Sequence, residues 1–214
     1  MYVIIAFITA LLMISSGQAQ EKPLPLEKIQ PVAKEALASL GQLVSEKNFK
    51  SMGFESLAEV KSATLGEPLR VFMVRLDQLQ KYEPGSDPNK LLSGGDRLIY
   101  PVMVGNQVRS SVSVSMVKDS WQAAGVGRPN LAKLLTRGVQ NSAESAKMPV
   151  SSFFAVQIPA LNLYFIAHRA DQGLMLAPVL DDPVYGFKAG VALPADKVFE
   201  TILPAAKKHN GLPG

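Results

Sequence analysis

His168 closes an apolar run, PALNLYFIAHR at residues 159–169, with Arg169 beside it and Asp171 three positions on. A histidine steered by a carboxylate can act as a general base. The competing reading is a hydrogen-bonded histidine at the rim of a sheet, because no nucleophile accompanies it in the sequence. Alternating residues of the run separate Leu163, Phe165 and Ala167 from Asn162, Tyr164, Ile166 and His168. The pattern predicts a central strand covered on both sides. Gln157, Pro159 and Asn162 interrupt the apolar stretch and argue against a membrane span there.

GVGRPN at 125–130 places a Gly-x-Gly and Arg128 at the start of an expected helix. Helix N-termini attract anions, and an arginine fork grips phosphate or carboxylate. Gly127 and Arg128 are therefore candidate anion-binding residues. Arg109, Ser111, Ser113 and Ser115 recur at every second position and predict a wet strand face that could hold a sugar or an extended peptide. Such a stripe is equally an ordinary solvated face.

Asp181-Asp182-Pro183 could bind a cation, but neighbouring carboxylates on a strand or turn point apart, and DDP is common turn chemistry. With two histidines and no cysteine, neither a structural nor a catalytic zinc site is expected. The chain has no Gly-x-Ser-x-Gly, Ser-x-x-Lys, His-Glu-x-x-His, Walker loop or dinucleotide fingerprint. No catalytic residue, cofactor or metal is assigned.

The elements that must position these residues follow from periodicity. Leu26, Ile29, Ala33, Ala36, Leu37, Leu40, Leu43 and Val44 predict a long N-terminal helix, with Pro31 in its first turn. A short helix is expected at 55–61. Strands are expected at 69–76, 97–104, 107–118 and 121–126, with Gly105-Asn106 as a hairpin turn and a second turn at Asp119-Ser120. A helix follows from Pro129. Further strands are expected at 152–158, 161–169, 173–180 and 187–193, then a last helix at 194–208 that Pro204 should kink or end. The fold class is α+β: mainly antiparallel sheet, a long N-terminal helix, and two helices each following a strand meander.

AGVGRPNLAKLL at 124–135 and AGVALPADKVFE at 189–200 echo one another at a spacing of 65, from Gly125 to Gly190. Duplication of a meander-plus-helix unit is one reading, and shared turn chemistry is the other. Duplication predicts two sheets related by a pseudo-twofold, or one sheet with helices on one face.

Of 214 residues, 47% are apolar, enough for a real core. The net charge of +4 is scattered, with no basic tract, and argues against a nucleic-acid partner. Residues 1–14, MYVIIAFITALLMI, precede SSGQAQ, whose Gly17 and Ala19 fit a signal-peptide cut after Ala19. No Lys or Arg precedes the apolar run, so a retained anchor is the competing reading. The expected organisation is a signal peptide at 1–19, a helical segment at 20–66, and meander-plus-helix units at 67–147 and 148–214, in one globular domain.

An export signal without a catalytic signature leads to a periplasmic or secreted, non-catalytic accessory protein. Its sheet face or edges would engage a polypeptide or envelope partner in a chaperone-like way. The alternative is a small-anion binder, or an enzyme of unfamiliar type, centred on Arg128 and His168. A purely structural envelope component is the third reading.

Overall fold

A computed structural model describes residues 23–211. The expected signal peptide and its cut site lie outside the described residues. Nine strands form one sheet: β1 (Thr64–Leu65), β2 (Leu69–Val74), β3 (Leu92–Val104), β4 (Gln107–Val117), β5 (Ser120–Val126), β6 (Phe154–Ile158), β7 (Leu163–Ala170), β8 (Gly173–Pro178) and β9 (Leu193–Pro194). The order is β5-β4-β3-β2-β6-β7-β8-β9, with β1 on the far end of β3. Every pairing is antiparallel except the central one, β2 with β6. Among the described residues, five α-helices accompany the sheet: α1 (Leu26–Leu43), α2 (Leu57–Lys61), α3 (Leu76–Leu79), α4 (Pro129–Ala146) and α5 (Ala195–Lys208). The α+β class and the long N-terminal helix are as the periodicity predicts.

Strand alternation distributes the core over both faces. Phe72, Val156 and Phe165 face α5, through Val198, Phe199 and Ile202. On the same side, Leu98, Tyr100, Val112 and Val114 face Ile29, Ala33, Ala36 and Leu40 of α1. Their strand neighbours Val71, Ile99, Ala155 and Ile166 face α4, through Leu135, Val139 and Ala143. Phe199 is fully buried against Tyr82 at 5.7 Å between ring centroids. Truncating such an aromatic to alanine costs about 3–5 kcal/mol.

The two meander-ending helices thus lie on opposite faces of one continuous sheet. Both expected arrangements of the echo are corrected: the sheet is single, and helices cover both of its sides. Gly138 is what seats α4. A Cβ there would lie 2.8 Å from Cγ1 of Ile166 on β7.

Four local expectations are also revised. α1 starts at Leu26, so Pro31 falls in its second turn, where it deprives a carbonyl of its helical partner. Pro204 does not end α5, which runs on to Lys208. The tight turn after β4 is Lys118-Asp119, both at positive φ (47° and 63°), the hand that matches strand twist. Residues 187–192 are a looped turn, and of the strand expected at 187–193 only Leu193 joins the sheet, as the start of β9. Asp182 accepts from the Val184 and Tyr185 amides, Asp181 accepts from the Ala189 amide, and Gly186 and Gly190 take positive φ. Both carboxylates of DDP are therefore engaged in turn chemistry.

Candidate functional site: an open strand edge and an apolar groove

The residues singled out in the sequence do not converge. Gly127 is buried and pairs with Ser111 through two backbone hydrogen bonds of 2.9 and 3.0 Å, which sets the exposed Arg128 beside β4. Arg128 is the left-handed residue (φ 60°) that turns the chain into α4, with Pro129 in the first helical turn. His168 lies on β7, four strands from β4. At ordinary strand spacing that is about 19 Å.

His168 is 8% exposed and packs on Phe153 with ring centroids 5.1 Å apart. Burial pushes its pKa down, and no carboxylate contributes to the shift. Asp171 thus does not steer it as a base.

The serine stripe is not wet. Ser111 and Ser113 are buried, with Ser113 opposite Ile99, on the face that carries α4. Their small side chains let the helix close onto β4, and the Ser111 hydroxyl donates to the Gly127 carbonyl. Arg109 leaves the alternation altogether. Val102 pairs with Ser110 and Met103 with Val108, so Arg109 is the extra residue of a β-bulge. Its guanidinium is held by Glu55 and Glu59, each at 2.7 Å. That arginine ties the segment before α2 to the sheet.

Two surfaces remain that can hold something. The first is the outer edge of β5. Among the described residues β5 pairs only with β4. Its sequence, SWQAAGV, carries no charge and no proline, and Gln122, Ala123, Ala124 and Gly125 are exposed. Natural edges are usually blunted by charge, proline or bulges. Here a single bulge lies at Ala124, between Ala123 opposite Val114 and Gly125 opposite Ser113. Ladder alternation fixes which amides point outward. Gly127 bonds to Ser111, so Val126 points away from β4. Counted from the two-residue hairpin, Ser120 and Gln122 point inward, and Trp121 and Ala123 point outward.

The second surface is a groove of about 850 Å³ at the end of the sheet where the parallel strands β2 and β6 both begin. Leu135 and Val139 of α4, Ile99 and Met103 of β3, Phe153 and the incoming Leu24 form its apolar walls. Arg70, Arg169 and Glu67 line it as well. Arg70 lies 5.1 Å from the Phe72 ring centre and donates from Nε to the Gly95 carbonyl at 2.7 Å. Arg169 lies 5.0 Å from the Phe154 ring centre.

No known protein family, curated protein or solved structure matches this chain. The functional reading therefore rests on these two surfaces. Among the described residues, no cluster of three metal-ligating side chains occurs, and no helix is long and apolar enough to cross a membrane.

Sequence reasoning named sheet edges in general without singling out β5, and passed over the groove. The edge had a readable signal: the last strand of a meander has one free side, and this one lacks a charge. The groove had none, because its walls come from six separate segments of the chain.

Proposed function

We propose that the chain is an exported, non-catalytic binding protein that holds an extended segment of another polypeptide along the outer edge of β5. The observation that carries this reading is the uncharged, proline-free edge, with the Trp121, Ala123 and Val126 main chains turned outward. Strand addition draws its affinity from main-chain hydrogen bonds, so it tolerates varied partner sequences, as a chaperone-like envelope factor requires. The small side chains of Ala123, Ala124 and Gly125 present no steric barrier to an incoming strand. The apolar run at 1–14 and the small-residue cut after Ala19 support export, with the periplasm or the outside of the cell as the proposed location.

The test is site-specific photo-crosslinking in the protein's own host, with p-benzoylphenylalanine at position 124. Polypeptide adducts are expected, and Ala123→Pro should cut them at least tenfold. Proline removes one outward N–H there and leaves the inner ladder whole. Adducts that persist undiminished in Ala123→Pro, or an absence of adducts, would contradict strand addition. N-terminal sequencing of the recovered protein tests export separately: it should begin at Gln20.

A further inference from the structure

We infer that the segment held along β5 is an amphipathic strand, apolar at every second residue, with its apolar side chains beneath α1 and its polar ones on the open side of the sheet. The inference rests on the reading of the β5 edge as a strand-addition site, and it names the class of partner that the edge selects.

The register of β4 with β5 sorts the side chains of the edge. Trp121, Ala123 and Val126 lie opposite Met116, Val114 and Val112. Val112 and Val114 belong to the core beneath α1, and Trp121 and Val126 pack against that core. Gln122 and Gly125 lie opposite Ser115 and Ser113, and Ser115 in turn lies opposite Arg97 of β3. Residues opposite one another across a ladder share a face. The edge therefore has one apolar side and one polar side. Trp121 and Val126 remain half-buried, while Gln122 and Gly125 are exposed.

α1 covers the apolar side. It packs on β5 and β4. A helix with its side chains is about 10–12 Å across, whereas neighbouring strands lie about 4.8 Å apart. A helix over the last two strands of a sheet thus extends about 3 Å past the outer one, above the inner half of the place an added strand takes. Met52 and Phe49 continue the same apolar side, and both pack against the core beneath α1. Met52 stands at the Val126 end of the edge, where its Cε lies 3.5 Å from the position of a Cβ on Gly127.

A strand sends successive side chains to opposite faces. An incoming strand with apolar residues toward α1 adds one row to the buried apolar layer, and its polar residues join Gln122 in solvent. A strand without this alternation sets polar groups beside Trp121 or leaves apolar ones in water, and both oppose binding.

Trp121 is the chain's single tryptophan, so its emission reports on this side of the edge. Three nine-residue peptides are titrated into the full chain: KTVTVTVTK, which alternates; KTTVVVTTK, of the same composition in blocks; and KTTTTTTTK, without apolar residues. The alternating peptide should shift the emission to shorter wavelength and bind at least fivefold more tightly than either of the others. Ala123→Pro, shown to be folded by circular dichroism, should abolish the shift. Ala123→Gln keeps the outward N–H but sets a polar group on the α1 side, and should reduce the preference for the alternating peptide to less than twofold. Equal affinity for all three peptides, each lost in Ala123→Pro, overturns the two-sided assignment and leaves strand addition standing. A preference unchanged in Ala123→Gln overturns the placement of the apolar residues beneath α1. No shift with any peptide up to millimolar concentration, or a shift that persists in Ala123→Pro, defeats strand addition and the inference with it.

Discussion

Nη2 of Arg109 lies 2.7 Å from Oε1 of Glu59, fifty residues away in sequence. The bulge at Arg109 makes this contact possible by taking the residue out of the strand alternation. Glu59 also accepts from the Glu55 amide at 2.8 Å, and that bond, with Arg109, holds its carboxyl below the usual range. Arg109→Ala should destabilise the fold by about 2 kcal/mol, because a hydrogen bond to a charged group is lost and a partly buried carboxylate is left behind. Thermal melts of Arg109→Ala, Glu59→Gln and the double variant check this. The double variant should cost clearly less than the two single losses together.

Gly138 and Ile166 form a second coupled pair. Gly138→Ala gains helix propensity of about 1 kcal/mol, but its Cβ would lie 2.8 Å from Cγ1 of a buried isoleucine. Overpacking of that kind costs about 1–3 kcal/mol. The expected outcome is a net loss of stability in Gly138→Ala that Ile166→Ala partly relieves. In urea melts, Ile166→Ala should therefore cost less in the Gly138→Ala background than in the wild type.

His168 gives the fold an acid-sensitive range. Its pKa in the folded chain lies below the ordinary value near 6.5, because burial disfavours the imidazolium. As pH falls through that value, the unfolded chain takes up a proton that the folded chain refuses. Stability from this group is thus full above about pH 6.5 and declines below it, toward the lowered pKa. Melts between pH 7.5 and 5 should fall in the wild type and flatten in His168→Phe. Equal slopes in the two proteins would remove His168 as the cause.

The open edge and the sheet order suggest a fourth outcome. Ala123→Pro should melt within about 0.5 kcal/mol of the wild type, as surface changes away from special features do. Ser113→Leu, by contrast, should destabilise by more than about 1 kcal/mol, because it forces a large side chain between β4 and α4. Denaturant titration of both variants separates the free edge from the packed face.

What was legible in the sequence follows from how local its causes are. Gly105-Asn106, the proline at 129 and the alternation of 107–117 each act over a few residues, and the elements form there. The parallel pairing of β2 with β6 depends on segments about 80 residues apart, and no local pattern reports it. The serines at 111 and 113 carry a polar signature, yet small size is the property α4 uses. Arg109 misled for another reason: a single inserted residue shifts the side-chain period, and nothing in QVRSSVSV marks the insertion. Asp181-Asp182-Pro183 is turn chemistry in the sequence, and the two side chains cap the loop amides.

Native mass spectrometry of the protein recovered from its own host, compared with Ala123→Pro prepared identically, tests the central claim most directly. Strand addition at β5 predicts a bound polypeptide on the wild type and a bare chain for the variant. The same polypeptide on both, or a bare chain for both, would contradict it.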